Sequence, residues 1–365
     1  MSASSPMLLI GVGGAGTAMA RGVGRAFGEG LRYVLADTDA SSGLEGEPFV
    51  LLGGDRLSGR DSGGDFVTAR MATEDSVTAL DESLEGARLA VIVTALGGGT
   101  GGGATLEILR HLQERGIPSV VFATTPFTFE GETHQRNARG VISLIEETAN
   151  CSFFLPLDKL VSNTDNMDEA MRRAVDTLAS AVTLFWRLVE KPGYIKTDTE
   201  RIRHLIAAAG RGRFATVTVK GPNRAVEAVD TLVRAPLLAD GSGAVRAILC
   251  GVLAGEDLRL SEIATVSDGL RNAFGEQCAF ELATVNDEDT FSGRLSVVAL
   301  LFETSASEEP APEKGRSSRK SRPARNPLAQ GPQGRGRFNN VEPTVWNGED
   351  LDVPTYIRQN IKLDF

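Results

Sequence analysis

Residues 89–113 read LAVIVTALGGGTGGGATLEILRHLQ. An apolar run is followed by a stretch that is glycine at every position except Thr100, and a helical pattern begins directly after it. A strand, a glycine-rich turn and a helix in this order are typical of phosphate-binding α/β proteins, because successive N–H groups of the turn form an anion nest. The residues predicted to hold phosphate here are Gly97, Gly98, Gly99, Thr100, Gly101 and Gly102.

A second glycine cluster lies near the start of the chain, where residues 11–16 read GVGGAG after the apolar run 7–12. This matches GxGxxG, and Asp37 and Asp39 follow at about the distance of a ribose-binding acid in a dinucleotide fold. A dinucleotide enzyme needs only one such cradle, however, and neither cluster has the GK[ST] ending of a P-loop. Two cradles favour a triphosphate that lies across several loops.

Apolar runs separated by helix-length segments predict a parallel sheet covered on both faces. Strands are predicted at 7–12, 33–37, 89–96, 119–125 and 152–157, and a long helix at 166–189. Further strands are predicted at 214–220, 244–253, 278–285 and 294–302, with helices at 223–235 and 259–273. The fold class is α/β, with a doubly wound parallel-sheet nucleotide-binding domain, a long central helix, a second, smaller α/β domain and a disordered C-terminal tail.

The expected division of the chain is a nucleotide-binding domain at 1–165, the central helix at 166–190, a second α/β domain at 191–303, a linker at 304–344 and a docking peptide at 345–365. The linker contains a stretch, 314–337, with eight Lys or Arg and no acid. Its Ser, Pro, Gly and Gln content predicts disorder. It is either a solvated tether or an electrostatic contact for acidic lipid, nucleic acid or an acidic partner.

Composition excludes several classes of protein. The net charge of -10 disfavours a dedicated nucleic-acid binder, and the three cysteines are too far apart for a disulfide framework or a cysteine zinc site. Neither His111 nor His204 has metal-ligand spacing to an acid or cysteine, so no protein-only metal site is expected. The start of the chain lacks a basic segment before its short apolar run, which argues against a signal peptide. We expect a cytoplasmic protein.

Several motifs resemble those of the FtsZ branch of the tubulin superfamily. LGGGTGGG resembles the GGGTGTG signature, and GVGGAG resembles the first FtsZ loop. Further matches are Asp37 to Asp39 (DTD, for NTD), 126–131 (PFTFEG, for PFxFEG), 223–228 (NRAVEA) and 349–358, which is similar to the FtsZ C-terminal peptide. The docking peptide makes FtsZ a closer match than tubulin.

The resemblance implies GTP or GDP bound between subunits that polymerise head to tail for cell division. It places Gly13, Gly14, Gly16, Thr17 and Asp39 near the phosphates and Glu130 on the ribose. The family's nucleotide-binding Arg falls at His134, and its guanine-pairing acid or amide falls at Val175, with Asp176 beside it. Mg²⁺ is expected to be held through the phosphates and Asp39.

The resemblance also places a catalytic loop after the central helix, where acids from the neighbouring subunit orient the attacking water. Asp198 keeps the family position, and Glu200 is one residue from another. Lys196 and Arg201 replace the family's Asn and second Asp. Slow hydrolysis through Asp198 and Glu200, near-normal hydrolysis, and nucleotide binding with almost no turnover all stay open.

Three functions compete. The first is a nucleotide-driven cytoskeletal polymer with GTPase activity at the subunit interface. The second is an FtsZ-like protein that co-assembles but hardly hydrolyses, and the third is a dinucleotide-dependent oxidoreductase. For the first two, the expected partners are other copies of the chain and division proteins that bind the tail and connect it indirectly to membrane at the division site. No specific nucleic acid is expected.

Overall fold

The apolar runs of the sequence form one ten-stranded sheet in the computed structural model, which describes residues 6–28, 30–160, 166–190, 193–206, 210–239, 244–275, 278–303, 345–346 and 349–350. The strands of this sheet are β1 (Met7–Val12), β2 (Tyr33–Asp37), β3 (Phe49–Leu51), β4 (Leu89–Ala95), β5 (Ser119–Thr125), β6 (Cys151–Pro156), β7 (Gly210–Lys220), β8 (Val245–Ala254), β9 (Ala279–Asn286) and β10 (Arg294–Glu303). The α-helices are α1 (Gly13–Phe27), α2 (Gly54–Leu57), α3 (Phe66–Glu74), α4 (Asp81–Leu84), α5 (Gly99–Glu114), α6 (Glu132–Thr148), α7 (Met167–Glu190), α8 (Thr199–Ile206), α9 (Arg224–Val233), α10 (Pro236–Ala239), α11 (Leu260–Phe274) and α12 (Glu288–Phe291).

The strand order is β3-β2-β1-β4-β5-β6-β7-β10-β8-β9. Every neighbouring pair from β3 to β7 is parallel, whereas β10 runs antiparallel to both of its neighbours. The chain leaves β1 toward β2 on one side and later adds β4 on the other, so β1 and β4 form a topological switch point. Open α/β sheets bind ligands outside the carboxyl ends of the strands at such a point.

Helices cover both faces of the parallel part. On one face α7 and α1 pack together, and Leu178, Val182 and Trp186 of α7 are fully buried in the core. On the other face α5 and α6 bury Ile108, Leu112 and Ile145. Because each such side chain contributes roughly 1.5–3 kcal/mol on burial, these contacts hold α5, α6 and α7 against the faces of the sheet.

The doubly wound α/β fold with its long central helix is confirmed, and the predicted strands agree with the observed ones to within a few residues. The sequence did not predict β3 or α3. It also interpreted residues 195–201 as a loop, whereas α8 begins at Thr199. The strands of both predicted α/β domains join in one sheet, through parallel pairing of β6 with β7, and the domain boundaries stay predictions.

Residues 311–365 form a separate unit. In it β11 (Val345–Trp346) pairs antiparallel with β12 (Glu349–Asp350). The sequence between these strands is Asn-Gly, which is a strong hairpin signal. The predicted linker at 304–344 and the rest of the docking peptide lie outside the described residues.

Candidate functional site

The two glycine clusters meet at the switch point. The first connects β1 to α1 and the second connects β4 to α5, and residues of both line a cleft of about 630 Å³. Helix α1 begins after Val12 and α5 begins after Gly98, and neither helix has a side-chain cap. The first N–H groups of both helices, together with the positive ends of their dipoles, are therefore available to an anion in the cleft.

The glycines of the second cluster have different structural roles. A Cβ added at Gly98 would meet no atom within 4 Å, so this residue faces open space in the cleft. A Cβ at Gly99 would collide with the Ser62 hydroxyl and lie 2.8 Å from the Asp65 backbone nitrogen, and one at Gly103 would collide with the Phe66 carbonyl. Gly98 thus leaves room for a ligand, whereas the other two allow α3 and its preceding loop to pack on α5.

Two other glycines that were predicted to hold phosphate are instead required by the local backbone and packing. Gly97 has a φ of 110°, which favours glycine, and Gly102 lies against Val141 of α6, 3.0 Å from the position of an added Cβ. Neither residue lines the cleft, whereas Gly101 does, although a Cβ there would collide with the Ala95 carbonyl. The sequence predicted an anion nest over the whole cluster, but only residues 98–101 of it line the cleft.

In the first cluster, Gly13 and Gly14 line the cleft, and a Cβ added at Gly14 would lie in ordinary contact with Asp37 and Ser42. Gly16 instead allows α1 to approach β4, because a Cβ there would lie 2.5 Å from the Val93 carbonyl oxygen. The Thr17 hydroxyl is buried and donates a hydrogen bond to the Gly14 carbonyl at 2.8 Å. Gly16 and Thr17 therefore stabilise the loop through its contacts with β4 and with Gly14, and they do not line the cleft.

Three hydroxyl groups connect the loops at the phosphate end of the cleft. Thr100 Oγ1 lies 2.7 Å from Thr38 Oγ1 and 3.3 Å from Ser62 Oγ, and all three residues are buried. The glycine cluster predicts a phosphate contact for Thr100, whereas no motif of the sequence points to Ser62. Its loop, residues 59–65 (GRDSGGD), also supplies Asp61 and Gly64 to the cleft lining. The sequence feature that could have indicated this loop is the pair Gly63-Gly64 followed by Asp65, the N-cap of α3.

Three carboxylates line this end of the cleft. Asp39 is the N-cap of a short 3₁₀ turn, and hydrogen bonds from Ser41 hold its pKa below the usual value. Asp37 is buried, and burial raises the pKa of its carboxyl group although Ser42 and the Thr38 N–H donate to it. The third acid is Asp61. Mg²⁺ prefers oxygen ligands and is usually bound by one or two carboxylates together with phosphate oxygens.

Glu130 and His134 lie along one wall of the cleft. One Glu130 oxygen, Oε1, accepts a hydrogen bond from the Phe127 N–H at 2.7 Å. His134 Nδ1 lies 3.2 Å from the Glu130 carbonyl oxygen, and its Cβ is 3.4 Å from the position of a Cβ at Gly97. The two residues predicted to contact nucleotide are thus adjacent, and part of the Glu130 carboxylate already caps its own turn.

The end of the cleft away from the glycines is apolar. Its lining side chains come from α1, α7 and the segment after β6, and they are Ala18, Met19, Leu157, Met171, Ala174 and Val175. Asp176, the predicted neighbour of Val175 in base recognition, does not line the cleft. It belongs to a separate polar groove of about 440 Å³ that also includes Arg172 and Thr216.

Asp198 and Glu200 lie beyond the opposite end of α7. Met171 and Val175, near the start of this 24-residue helix, line the cleft, and at about 1.5 Å per residue the helix is roughly 36 Å long. Asp198 Oδ1 accepts the Arg201 N–H at 2.9 Å and so caps α8, and Glu200 pairs with Arg203. The structure does not bring these acids to the cleft of the same chain.

Arg201 has a partner on the sheet. Its guanidinium makes two hydrogen bonds to the Glu281 carboxylate of β9, at 2.6 and 2.8 Å. This contact raises the pKa of Arg201. The cation that stands in place of a family acid thus attaches α8 to β9, and its side chain does not pair with Asp198.

Within the described residues no group of three or more His, Cys, Asp or Glu side chains is arranged to hold a metal ion. No helix in the same part of the chain is both long and apolar enough to cross a membrane.

The fold and the cleft define an α/β protein with an anion-binding site at the carboxyl edge of its parallel strands. The model of the "Tubulin/FtsZ family, GTPase domain" matches residues 6–165. Cell division protein FtsZ of Pseudomonas aeruginosa is 31% identical over 287 residues, which cover 77% of this chain and 73% of that protein. FtsZ of Pseudomonas putida is 30% identical over 292 residues, covering 78% and 73%.

Solved structures show the same fold. An empty FtsZ dimer of M. jannaschii matches with a TM-score of 0.76 at 23% identity, over 81% of this chain and 87% of that one. A GTPgS-bound protofilament of CetZ2 from Haloferax volcanii matches with a TM-score of 0.69 at 22% identity, over 82% and 93%. The chain belongs to the tubulin/FtsZ family, as a divergent FtsZ.

Proposed function

We propose that this chain binds GTP in the cleft between the two glycine clusters and polymerises head to tail into filaments for cell division. The observation that carries this proposal is that Met171 and Val175, near the start of α7, line the cleft, whereas Asp198 and Glu200 follow the end of α7 and do not line it. A water attacking a phosphate in the cleft can be oriented by these acids only when they come from another copy. Such a contact joins two different surfaces and does not close on itself, so it yields filaments.

The chemistry asked of the chain is positioning and charge stabilisation. The α1 and α5 N-termini would hold the phosphates, and Asp39 and Asp61 would hold a phosphate-bound Mg²⁺, which neutralises charge on the transferred group. Asp198 would orient the attacking water with the carboxylate oxygen that does not cap α8. Hydrolysis then depends on assembly.

Complementation tests this arrangement. Gly98→Asp fills the phosphate end of the cleft and leaves Asp198 intact, whereas Asp198→Asn leaves the cleft intact. Each purified variant alone should release almost no phosphate from GTP. In a 1:1 mixture, about a quarter of random head-to-tail contacts join an intact cleft to an intact acid, so phosphate release should recover. Acids that act within one chain would give no recovery on mixing.

A second candidate is a co-assembling protein with little turnover, and the contact between Arg201 and Glu281 favours it. That ion pair holds a cation where the family has an acid. Phosphate release and pelleting should be measured with GTP and GDP over a range of protein concentrations. Pelleting with GTP but with little phosphate release at any concentration supports this candidate, whereas release that rises steeply with concentration supports the first.

The C-terminal segment 345–365 is proposed to dock division proteins and, through them, membrane. Its support is the family resemblance of 349–358 and the paired strands β11 and β12. Deleting 349–365 should leave polymerisation of the purified protein nearly intact while abolishing recruitment of the division machinery to the membrane. Loss of assembly in the purified truncated protein would contradict this assignment.

A further inference from the structure

The apolar end of the cleft carries an inference that rests on the proposed nucleotide binding and concerns which base is accepted. The glycine clusters supply N–H donors at one end, so the phosphates belong there and the base lies toward α7. The side chains at that end are Ala18, Met19, Leu157, Met171, Ala174 and Val175. These side chains can pack on a flat ring, but none of them has a polar group that discriminates between purines.

The family resemblance places at Val175 the acid or amide that would read the base edge. Its Cγ1 lies 3.7 Å from the position of a Cβ added to Gly22 of α1, so the two helices approach closely here. Val175 is half-buried and lines the cleft. A branched aliphatic side chain therefore closes the end of the site between α1 and α7.

The nearby polar side chains are directed elsewhere. Asp176 lines the separate polar groove on α7. The Thr17 hydroxyl donates to the Gly14 carbonyl. Arg21, one turn beyond Ala18 on α1, makes paired hydrogen bonds to the Glu47 carboxylate and one to the Ser42 carbonyl. The side chains most able to hydrogen-bond a base from α1 or α7 thus have other partners or face another groove.

Most of the polar residues that line the cleft lie beside the glycine loops or along the wall of Glu130 and His134. Asp37, Asp39, Ser42, Asp61 and Thr100 surround the glycine loops. His134 lies beside Gly97, and Glu130 caps the turn at Phe127. The lining side chains of α1 and α7 accordingly present no donor or acceptor to a base; Thr124, near the carboxyl end of β5, also lines the cleft, and residues 161–165 lie outside the described part of the chain.

Guanine and adenine differ in the donors and acceptors at their edges. A site that hydrogen-bonds such groups rejects the wrong base strongly, because its own polar groups are otherwise left unpaired, whereas an apolar pocket discriminates weakly. We propose that this cleft binds purine nucleoside triphosphates with little preference between guanine and adenine. Val175 is the residue that sets this relaxed selection.

Equilibrium titration of the full chain with fluorescent GTP and ATP analogues carrying the same label tests the proposal. The dissociation constants of the wild type should differ by less than about tenfold. Val175→Asp should shift the ratio by at least about tenfold toward GTP, because a carboxylate accepts from the guanine N1 and N2 groups. Asp176→Asn is the matched control, since it changes an adjacent acid outside the cleft, and it should leave the ratio unchanged.

The outcomes separate the inference from the proposed function. A wild type that binds GTP more than tenfold tighter than ATP overturns the relaxed selection while leaving GTP binding in place. A wild type that binds neither triphosphate overturns the proposed function itself. Should Val175→Asp fail to fold, the wild-type ratio still decides. A shift in the ratio for Asp176→Asn would show that Asp176, and not Val175, governs the base end.

Discussion

Helices α1 and α5, whose N-termini border the cleft, begin differently from α3 and α8. α1 and α5 begin after Val12 and Gly98 and have no side-chain cap. α3 begins after Asp65, whose carboxylate accepts hydrogen bonds from the Val67 and Thr68 N–H groups, and α8 is capped by Asp198. The first N–H groups of a helix need partners. The chain supplies its own partners at α3 and α8, and at α1 and α5 it leaves them to a ligand.

Introducing a cap at α5 gives the largest expected effect. Gly98 has a φ of -81°, which any residue can adopt, and a Cβ there meets no atom within 4 Å. Gly98→Asp should therefore cap α5 with its own carboxylate and raise the free energy of unfolding by a few tenths of a kcal/mol. The same carboxylate competes with phosphate for the N–H groups, so GTP affinity should fall at least about a hundredfold. Chemical denaturation and equilibrium titration measure the two effects.

Gly98→Ala and Gly99→Ala are the matched controls. The first adds a methyl group in open space and should change stability little. The second forces the Ser62 hydroxyl and the Asp65 backbone aside and should destabilise the protein by about 1–3 kcal/mol. If Gly98→Asp binds GTP as tightly as the wild type, the uncapped start of α5 is not the phosphate site.

The sequence predicted the long elements well because their signals are local. The continuous apolar run of β4 and the helical repeat of α7 are each visible in the letters alone. β3 is only three residues long, and α3 has a short, mixed pattern (FVTARMATE) whose start depends on the Asp65 cap. These elements were missed because their stability comes from contacts with α5 and β2 that the local sequence does not display.

The site was predictable at the level of motifs but not of individual glycines. All the glycines of residues 97–103 look alike in the sequence, yet Gly98 faces the cleft while Gly99 and Gly103 accommodate the segment around Ser62 to Phe66. That segment lies more than thirty residues earlier in the chain, so only the fold distinguishes these roles. The same holds for Arg201, whose partner Glu281 lies on β9.

Removing the cap of α8 tests the other side of the comparison. Asp198→Ala removes both the cap and the proposed water-orienting carboxylate, whereas Asp198→Asn keeps a capping oxygen. Both variants should suppress GTP turnover in polymer at least about tenfold, and only Asp198→Ala should lose about 0.5–2 kcal/mol of stability. Phosphate release and thermal unfolding distinguish them. Normal turnover in Asp198→Asn would restrict Asp198 to capping.

Converting Arg201 to an acid should have a smaller effect. In Arg201→Asp the new carboxylate faces Glu281, so the attachment of α8 to β9 is lost and repulsion replaces it. Because Arg201 is mostly exposed, the loss of stability should be small. The double variant Arg201→Asp with Glu281→Arg should restore that stability.

The same pair tests the slow-turnover candidate. With Lys196→Asn added to the double variant, an amide and an acid again accompany Asp198, and phosphate release per subunit should rise a few-fold. Intact assembly without faster release would show that Lys196 and Arg201 do not limit hydrolysis, and Glu200 would then need to be tested by substitution with Gln.

The smallest effects are expected at two carboxylates, Asp65 and Glu146, which lie at opposite ends of their helices. Asp65 caps the start of α3, and hydrogen bonds from the Thr68 and Val67 N–H groups and the Thr68 hydroxyl lower its pKa. Glu146 lies in the last turn of α6, close to the negative end of the helix dipole. Burial raises its pKa, Arg211 opposes this from 3.6 Å, and Glu303 adds to it.

The two groups should affect stability with opposite signs. The folded state holds the Glu146 proton more tightly than the unfolded chain does, so the free energy of unfolding falls as pH rises from the unfolded pKa to the folded one. Glu146→Gln removes this loss and should raise the Tm by about 1 °C at pH 7, with no gain at a pH below the unfolded pKa. Asp65 contributes stability above its unfolded pKa that is lost as pH falls through its folded pKa, so Asp65→Asn should lower the Tm at pH 7. Thermal unfolding of both variants from pH 4 to 8 measures the difference, and a lower Tm for Glu146→Gln at pH 7 would mean that the pairing with Arg211 outweighs the cost of burial.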